Sequence, residues 1–182
     1  MAQMNIDDFK SKLGAGGARP NQFEVVLTWP LSMTGSTELK DQLLVTAAAL
    51  PASNVNPTII QYRGREVKLA GERTFDPWTI TVVNDTTMKL RKLFEKWSDL
   101  MNNRENNGAA TVPADYMATL GVQQLDRNNK YIRGYIINNA FPITVSEVGL
   151  SYGSNDVISE FTVTFQYSDF EVTPTGGSNP VS

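Results

Sequence analysis

The side chains that most often carry out catalysis are missing from this sequence. It contains no cysteine and no histidine, which excludes thiolate nucleophiles, Ser-His and Cys-His pairs, and imidazole metal sites. Two close carboxylate pairs, Asp7 with Asp8 and Glu38 with Asp41, lie in segments that read as an exposed arm and loop. Glycoside hydrolysis needs two acids across a cleft, one of them in an apolar pocket. The exposed pairs therefore predict no catalysis.

Two short motifs could bind a ligand, and both are incomplete. The run GAGG at Gly14–Gly17 lacks the following Lys-Ser/Thr and the preceding strand of a phosphate loop, so a flexible hinge is the better interpretation. Asp126, Asn128 and Asn129 are spaced like calcium ligands, but Tyr131 takes the place of the required glycine and no glutamate follows at the twelfth position. A hairpin turn is the better interpretation here. The sequence predicts no cofactor, no metal and no enzyme.

Composition bounds the class of protein. The chain has 182 residues, of which 41% are hydrophobic, and its net charge is −3. This length and apolar content predict a single domain with a proper core, and the acidic balance argues against tight binding of nucleic acid. No apolar run is long enough to span a membrane, and acids stand near the start where a signal peptide would carry Lys or Arg. We expect a soluble chain made in the cytoplasm, without a membrane partner.

Most of the predicted secondary structure is β-strand. Alternation of apolar and polar residues predicts strands over Gln22–Thr28, Trp78–Val83, Thr119–Leu125, Tyr131–Ile137, Phe141–Leu150 and Ile158–Tyr167. The apolar run Leu43–Leu50 fits a strand or a buried helix. One amphipathic helix is predicted over 85–101, with Asn84 or Asp85 as its N-cap and an apolar stripe at helical spacing. The stripe consists of Leu90, Leu93, Phe94, Trp97, Leu100 and Met101.

Three further segments read as appendages of this core. Residues 1–20 form an arm, with a short amphipathic patch that Gly and Pro should break before a helix grows. Residues 51–77 combine prolines, turn residues and short β-rich pieces, which predicts a projecting hairpin. Residues 173–182 form a flexible tail. At the end of the projecting segment, Arg73 and Asp76 could pair across a turn beside Phe75 and Trp78. This cluster fits an interface or a turn locked within one subunit, and the residues alone favour neither.

Several separated stretches resemble the tail tube family of contractile-tailed bacteriophages. The stretches are ARPNQFEV (18–25), AAALPAS (47–53), AGERTFDPWTITVVND (70–85) and ISEFTVTFQYSDFE (158–171). The third is highly specific, and it runs directly into the predicted helix. The matches span most of the chain in the expected order, whereas 31–41, 102–113 and the Gly-Ser tail match nothing in the family.

The resemblance implies a mainly β fold with one flanking α-helix, in which two antiparallel sheets pack as a sandwich or rolled barrel. It also implies a non-enzymatic virion protein whose hexameric rings stack into the inner tail tube. The expected partners are other copies of the chain, the tail sheath protein, the tape-measure protein in the lumen, the baseplate tube initiator and the tail terminator. Double-stranded DNA is expected to pass through without specific binding. By the same analogy, ring stacking and subunit contacts are assigned to Asp8, Phe9, Leu50, Pro51, Asn54, Tyr62, Arg73, Phe75, Asp76 and Trp78.

Related architectures keep other functions open. The tube of a phage-like bacteriocin or of a secretion device would share the fold but deliver no genome, and a baseplate tube initiator would cap growth instead of propagating it. A carbohydrate-binding β-sandwich is a more distant alternative, because most aromatic residues fall on alternating stripes that predict core. The residues do not identify which face of the sheets lines the lumen, since a period of two defines two faces without saying which is inside.

Overall fold

A computed structural model of the chain describes residues 5–13, 17–33, 39–105 and 108–173. The predictions made for residues 1–4, for Gly14–Gly16, for Glu38 and for the tail from residue 174 onward lie outside the described residues.

The described residues form two α-helices and nine strands. The helices are α1 (Ile6–Leu13) and α2 (Lys89–Met101). The strands are β1 (Phe23–Val26), β2 (Val45–Ala48), β3 (Ser53–Tyr62), β4 (Arg65–Phe75), β5 (Trp78–Val83), β6 (Ala118–Leu125), β7 (Tyr131–Val145), β8 (Glu160–Gln166) and β9 (Asp169–Thr173). The run Leu43–Leu50, for which the sequence left two interpretations open, contains the end of a 3-10 helix (Leu39–Leu44) and β2.

Seven strands pair into a continuous antiparallel sheet that passes from one half of the fold to the other through β7. The first part of β7 pairs with β6 and β9, and β6 also pairs with β1; we call this half sheet I. The second part of β7 pairs with β8, which pairs with β5 and then β2; we call this half sheet II. Strands β3 and β4 form a separate two-stranded sheet.

One hydrophobic core joins the two halves and α2. Sheet II buries alternate residues of β5 and β8, among them Trp78, Ile80 and Phe165, as the period of two requires. Phe94 and Trp97 of α2 contact Phe165 with ring centroids 5.9 and 6.0 Å apart. Each large side chain buried in this way contributes about 1.5–3 kcal/mol relative to exposure. The predicted fold class, a mainly β protein with packed antiparallel sheets and a flanking helix, is confirmed.

Strand β7 departs from the sequence prediction. The pattern predicted two strands, Tyr131–Ile137 and Phe141–Leu150, but the structure has one strand that ends at Val145. Asn139 adopts a left-handed backbone with φ 54° between the two halves. Asparagine tolerates this conformation better than most residues, so the chain can turn from sheet I into sheet II without ending the strand.

The ends of two helices also differ from the prediction. Helix α2 begins at Lys89, not at Asp85, because 85–88 form a turn in which the Met88 amide donates to the Asp85 carbonyl at 3.1 Å. The N-cap is Met88, which makes no side-chain capping bond, so the prediction of Asn84 or Asp85 as N-cap was wrong. The Asp85 carboxylate nevertheless accepts from the Lys89 amide at 3.0 Å, which satisfies one free amide of the first turn. In the arm, the short helix α1 does form and ends before Gly14.

Candidate interface surfaces

The hairpin of β3 and β4 projects from the body of the subunit. Every residue of β3 is exposed on both faces of the strand, and all but two of β4 are exposed. Its two-residue tip, Arg63 and Gly64, has φ values of 49° and 81°. Two central residues with positive φ define the tight turn whose twist matches that of paired strands. The sequence of the tip therefore fixes the register over the outer part of the hairpin.

The two faces of this hairpin differ in how many large apolar residues they carry near the tip. The cross-strand pairs Thr58 with Leu69, Ile60 with Val67 and Tyr62 with Arg65 share one face. The opposite face carries Pro57 with Ala70, Ile59 with Lys68 and Gln61 with Glu66. We call Ile60, Tyr62, Val67 and Leu69 the apolar stripe; their exposed fractions are 49%, 62%, 44% and 50%. The subunit itself does not cover this stripe.

The base of the hairpin is fixed to the core. Asn54 donates to the Asp76 carboxylate at 2.9 Å. Asp76 is therefore held by Asn54, whereas the sequence had suggested that it pairs with Arg73. Phe75 packs on Tyr167 and Phe170.

Trp78 and Tyr167 complete the attachment. Trp78 is buried and its indole donates to the Ala49 carbonyl at 2.6 Å, while the Tyr167 hydroxyl donates to the Ala52 carbonyl at 3.3 Å. Of the predicted contact residues, Phe75, Asp76 and Trp78 therefore set the exit of the hairpin within one subunit. Burial raises the pKa of the Tyr167 phenol above its ordinary value, and the nearby Asp76 carboxylate adds to the shift.

The remaining predicted contact residues are accessible. Helix α1 exposes Ile6, Phe9 and Leu13 by 66%, 64% and 43%, and no residue of this helix is buried. Leu50, just before the hairpin, is 44% exposed. Asp8, Arg73 and Tyr62 are also exposed, and Pro51 is half-buried. Both α1 and the hairpin thus expose residues to which the sequence analysis had assigned contacts.

A third exposed apolar surface was missed by the sequence analysis. Residues 146–159 connect β7 to β8, and we call them the distal loop. Four large apolar side chains of this loop are exposed, with exposed fractions of 86% for Leu150, 106% for Tyr152, 76% for Val157 and 71% for Ile158. The sequence placed Leu150 and Ile158 in strands because apolar residues alternate there. The clue that opposed strands was the polar, glycine-containing run SYGSND at 151–156, which favours a loop.

No group of three or more Asp, Glu, His or Cys residues in the described part of the chain could hold a metal ion. No helix in the same ranges is long and apolar enough to cross a membrane.

Comparison with known proteins identifies the class and then the family. The fold is shared with a chain of the anti-feeding prophage baseplate (TM-score 0.62, 11% identity, 86% of this chain and 95% of that one). It is also shared with a chain of an extracellular contractile injection system, from its sheath-tube complex (TM-score 0.55, 13% identity, 90% and 96%). These structures have the fold of contractile tube machinery.

Sequence comparison is more specific. A family model described as phage tail tube protein matches residues 18–173. The tail tube protein gp19 of Enterobacteria phage T4 is 32% identical over 170 residues, covering 92% of this chain and all of that protein. The tail tube protein of Serratia phage KSP90 is 22% identical over 165 residues, covering 89% and 93%.

The chain belongs to the phage tail tube protein family. It is a tail tube protein, and proteins of this family form the inner tube of the virion tail. Its relatives are structural proteins and not enzymes.

Proposed function

We propose that this protein forms hexameric rings that stack end to end into the inner tail tube through which phage DNA is delivered. The observation that carries the proposal is the β3–β4 hairpin, which exposes an apolar stripe that the subunit leaves uncovered. An isolated two-stranded hairpin is marginally stable in water. A hairpin of this length is therefore expected to be completed by another subunit, because covering its half-exposed side chains contributes roughly 1 kcal/mol each.

Lateral contacts in the ring are assigned to the borders of sheet II. Within the described residues, β2 pairs with β5 alone, and residues 141–145 of β7 pair with β8 alone. Each border leaves backbone donors and acceptors available to a neighbouring strand. Joining one border to the opposite border of the next copy is a head-to-tail contact, which closes into a ring when the rotation allows. Support for six subunits comes from the six-fold symmetrised baseplate whose chain shares this fold.

The bore is assigned to the outward face of sheet II. On this face, threonines lie side by side on adjacent strands: Thr144 pairs with Thr164, Thr164 with Thr79, and Thr162 with Thr81. Thr79 and Thr164 share a hydrogen bond of 3.0 Å. Each phosphate held by Lys or Arg adds salt-dependent affinity that would slow DNA. In the strand register, the charged residue nearest to these threonines is the acid Glu160. An uncharged hydroxyl surface beside an acid suits a channel that DNA and the tape-measure protein must traverse without sticking.

The other surfaces then have positions relative to the bore. Helix α2 packs on the inner face of sheet II, so its exposed side, including Lys92 and Lys96, points away from the axis. We assign this side to the tail sheath protein. Ring stacking is assigned to α1 through Asp8 and Phe9, and to the segment from Leu50 to Tyr62. At the two ends of the tube the same stacking surfaces would meet the baseplate tube initiator and the tail terminator.

Two adjacent isoleucines give a matched test of the hairpin. Ile60 lies on the apolar stripe and Ile59 on the opposite face, with similar exposed fractions of 49% and 51%. We expect Ile60→Asp to leave a folded subunit that forms no tubes by electron microscopy, whereas Ile59→Asp should still assemble. Circular dichroism would confirm that both variants fold. Normal tube growth by Ile60→Asp, or failure of the unsubstituted protein to form rings or tubes, would contradict the proposal.

A tube of a bacteriocin or secretion device is the second candidate, since solved injection-system chains share the fold. Their identity is only 11–13%, against 32% for the phage T4 tail tube protein. This difference favours a tube that delivers DNA.

A further inference from the structure

The hairpin and the distal loop lie at opposite ends of sheet II. The hairpin leaves β2 after Ala48 and returns to β5 at Trp78, and these residues lie at one end of their paired strands. The distal loop is attached at the other end, where Val83 pairs with Glu160 and the Asn84 amide donates to the Ser159 carbonyl at 2.9 Å. At about 3.3 Å per residue, β5 alone keeps the two attachment points roughly 17 Å apart. One subunit therefore presents two different apolar surfaces that are attached at opposite ends of sheet II.

The distal loop is anchored at its ends and open in its middle. Arg91 donates to the Ser146 carbonyl at 3.0 Å, and Asn84 donates to the Ser159 hydroxyl at 3.0 Å. Between these anchors, the Ser154 amide donates to the Ser151 carbonyl at 3.2 Å, which forms a turn beside Tyr152. Single exposed apolar residues are common, but a cluster of large ones on an anchored loop marks an interaction surface.

The charges of the two surfaces are complementary. The outer part of the hairpin carries Arg63, Arg65 and Lys68 with one acid, Glu66. The distal loop carries Glu147 and Asp156 and contains neither Lys nor Arg. Arg91 of α2 also contacts the loop, but its charge is paired with the Glu95 carboxylate at 2.9 Å. Opposite potentials on two surfaces steer their encounter and disfavour wrong partners.

We propose that the distal loop is the receptor for the hairpin of the next copy: the apolar stripe packs on Leu150, Tyr152, Val157 and Ile158, and the basic hairpin tip meets Glu147 and Asp156. This inference rests on the proposed stacking function and names the second half of its interface. Because the two surfaces differ and are attached at opposite ends of sheet II, the contact is head to tail and cannot close on itself between two subunits. Repetition of the contact gives an open stack.

Disulfide cross-linking tests the contact directly, because the natural chain has no cysteine. A chain carrying Val67→Cys and Ser151→Cys would be assembled and then oxidised. Neighbouring rings should become linked through every subunit, giving a ladder of multimers on a non-reducing gel that dithiothreitol abolishes. The matched control replaces the loop position with Asn128→Cys, which is exposed in the turn between β6 and β7 of sheet I. The control should remain mostly monomeric.

Charge reversal gives an independent readout if the cysteines disturb assembly. Asp156→Lys should raise severalfold the protein concentration needed for tube growth, and Arg65→Glu in the same chain should restore growth. The inference would be overturned if tubes form normally, the oxidised cysteine variant yields no multimers and Asp156→Lys has no effect. The proposed function would then remain intact. If the unsubstituted protein forms no tubes at all, the proposed function fails and this inference fails with it.

Discussion

Tyr167 connects the core of the subunit to the base of the hairpin. Its ring packs on Phe75, at the end of β4, with centroids 5.8 Å apart, and its hydroxyl donates to the Ala52 carbonyl, just before β3 begins. Both strands of the hairpin are thus held by one side chain. The orientation of the hairpin should depend on the protonated phenol, because a phenolate cannot donate to a carbonyl.

A test of this residue uses alkaline pH. The pKa of Tyr167 is raised in the folded state from an ordinary value of 10.0, so the folded protein holds this proton more tightly than the unfolded chain does. The stability that this group contributes is complete below pH 10 and is lost as pH rises through the raised value. We expect the temperature of unfolding to fall above pH 10 and Tyr167→Phe to weaken this pH dependence. An identical alkaline profile for both proteins, measured by thermal denaturation, would contradict the assigned role.

Among the residues assigned to contacts from sequence, the structure distinguishes two kinds. Tyr62, Leu50 and Phe9 are accessible and can contact another copy. Trp78 is buried, and Asp76 is bonded to Asn54. The sequence could not separate these groups, since an aromatic residue beside a turn suits a core or an interface equally. Burial of Trp78 and the hydrogen bond of Asp76 separate the two groups, and both depend on residues that are distant in sequence.

At the scale of elements, the long strand β7 determines how the two half-sheets meet. Its register with β6 shifts between Ala118 and Leu120, and its register with β8 shifts between Pro142 and Thr144. Asn139, with φ 54°, lies within the first of these irregularities, which on β7 falls between Ile137 and Ala140. Bulges and left-handed residues of this kind bend a strand without ending it.

The bend can be tested by substitution at Asn139. A β-branched residue resists a left-handed backbone, whereas glycine adopts it freely. We expect Asn139→Val to lower the free energy of unfolding by about 1–2 kcal/mol and Asn139→Gly to change it much less. Urea denaturation measures both variants. Equal stabilities for the two would show that the left-handed conformation imposes no constraint at this position.

Sequence reasoning succeeded for elements with strong local patterns. Strand β5 was predicted with its observed bounds, and the core-facing residues of α2 were correctly identified. It was wrong where the local pattern continued beyond the real element: the strand predicted to Leu150 ends at Val145. It also missed β9, because the last predicted strand stopped at Tyr167. Alternation of apolar residues persists in the distal loop although no partner strand pairs with it in the subunit.

At the scale of the whole molecule, the assignment of the bore makes a prediction about DNA. We expect Thr79→Lys to leave tubes intact but to make them retain short double-stranded DNA at low salt, with retention falling steeply as salt rises. The control, Ser98→Lys, places the same charge on the exposed side of α2. Co-sedimentation of DNA with purified tubes measures both. If the control retains as much DNA as Thr79→Lys, the hydroxyl face of sheet II does not line the bore.

The class of this protein and most elements of its core could be predicted from the amino-acid sequence. The absence of Cys and His excluded most enzymatic chemistry, periodicity located most of the strands and α2, and the specific stretch at 70–85 carried the family resemblance, which the comparisons confirm. The tertiary structure was needed to show which apolar residues remain exposed and at which end of the sheet each surface lies. Periodicity is a local property of the chain, whereas the opposition of hairpin and distal loop follows from pairing β2, β5, β7 and β8 across long sequence separations.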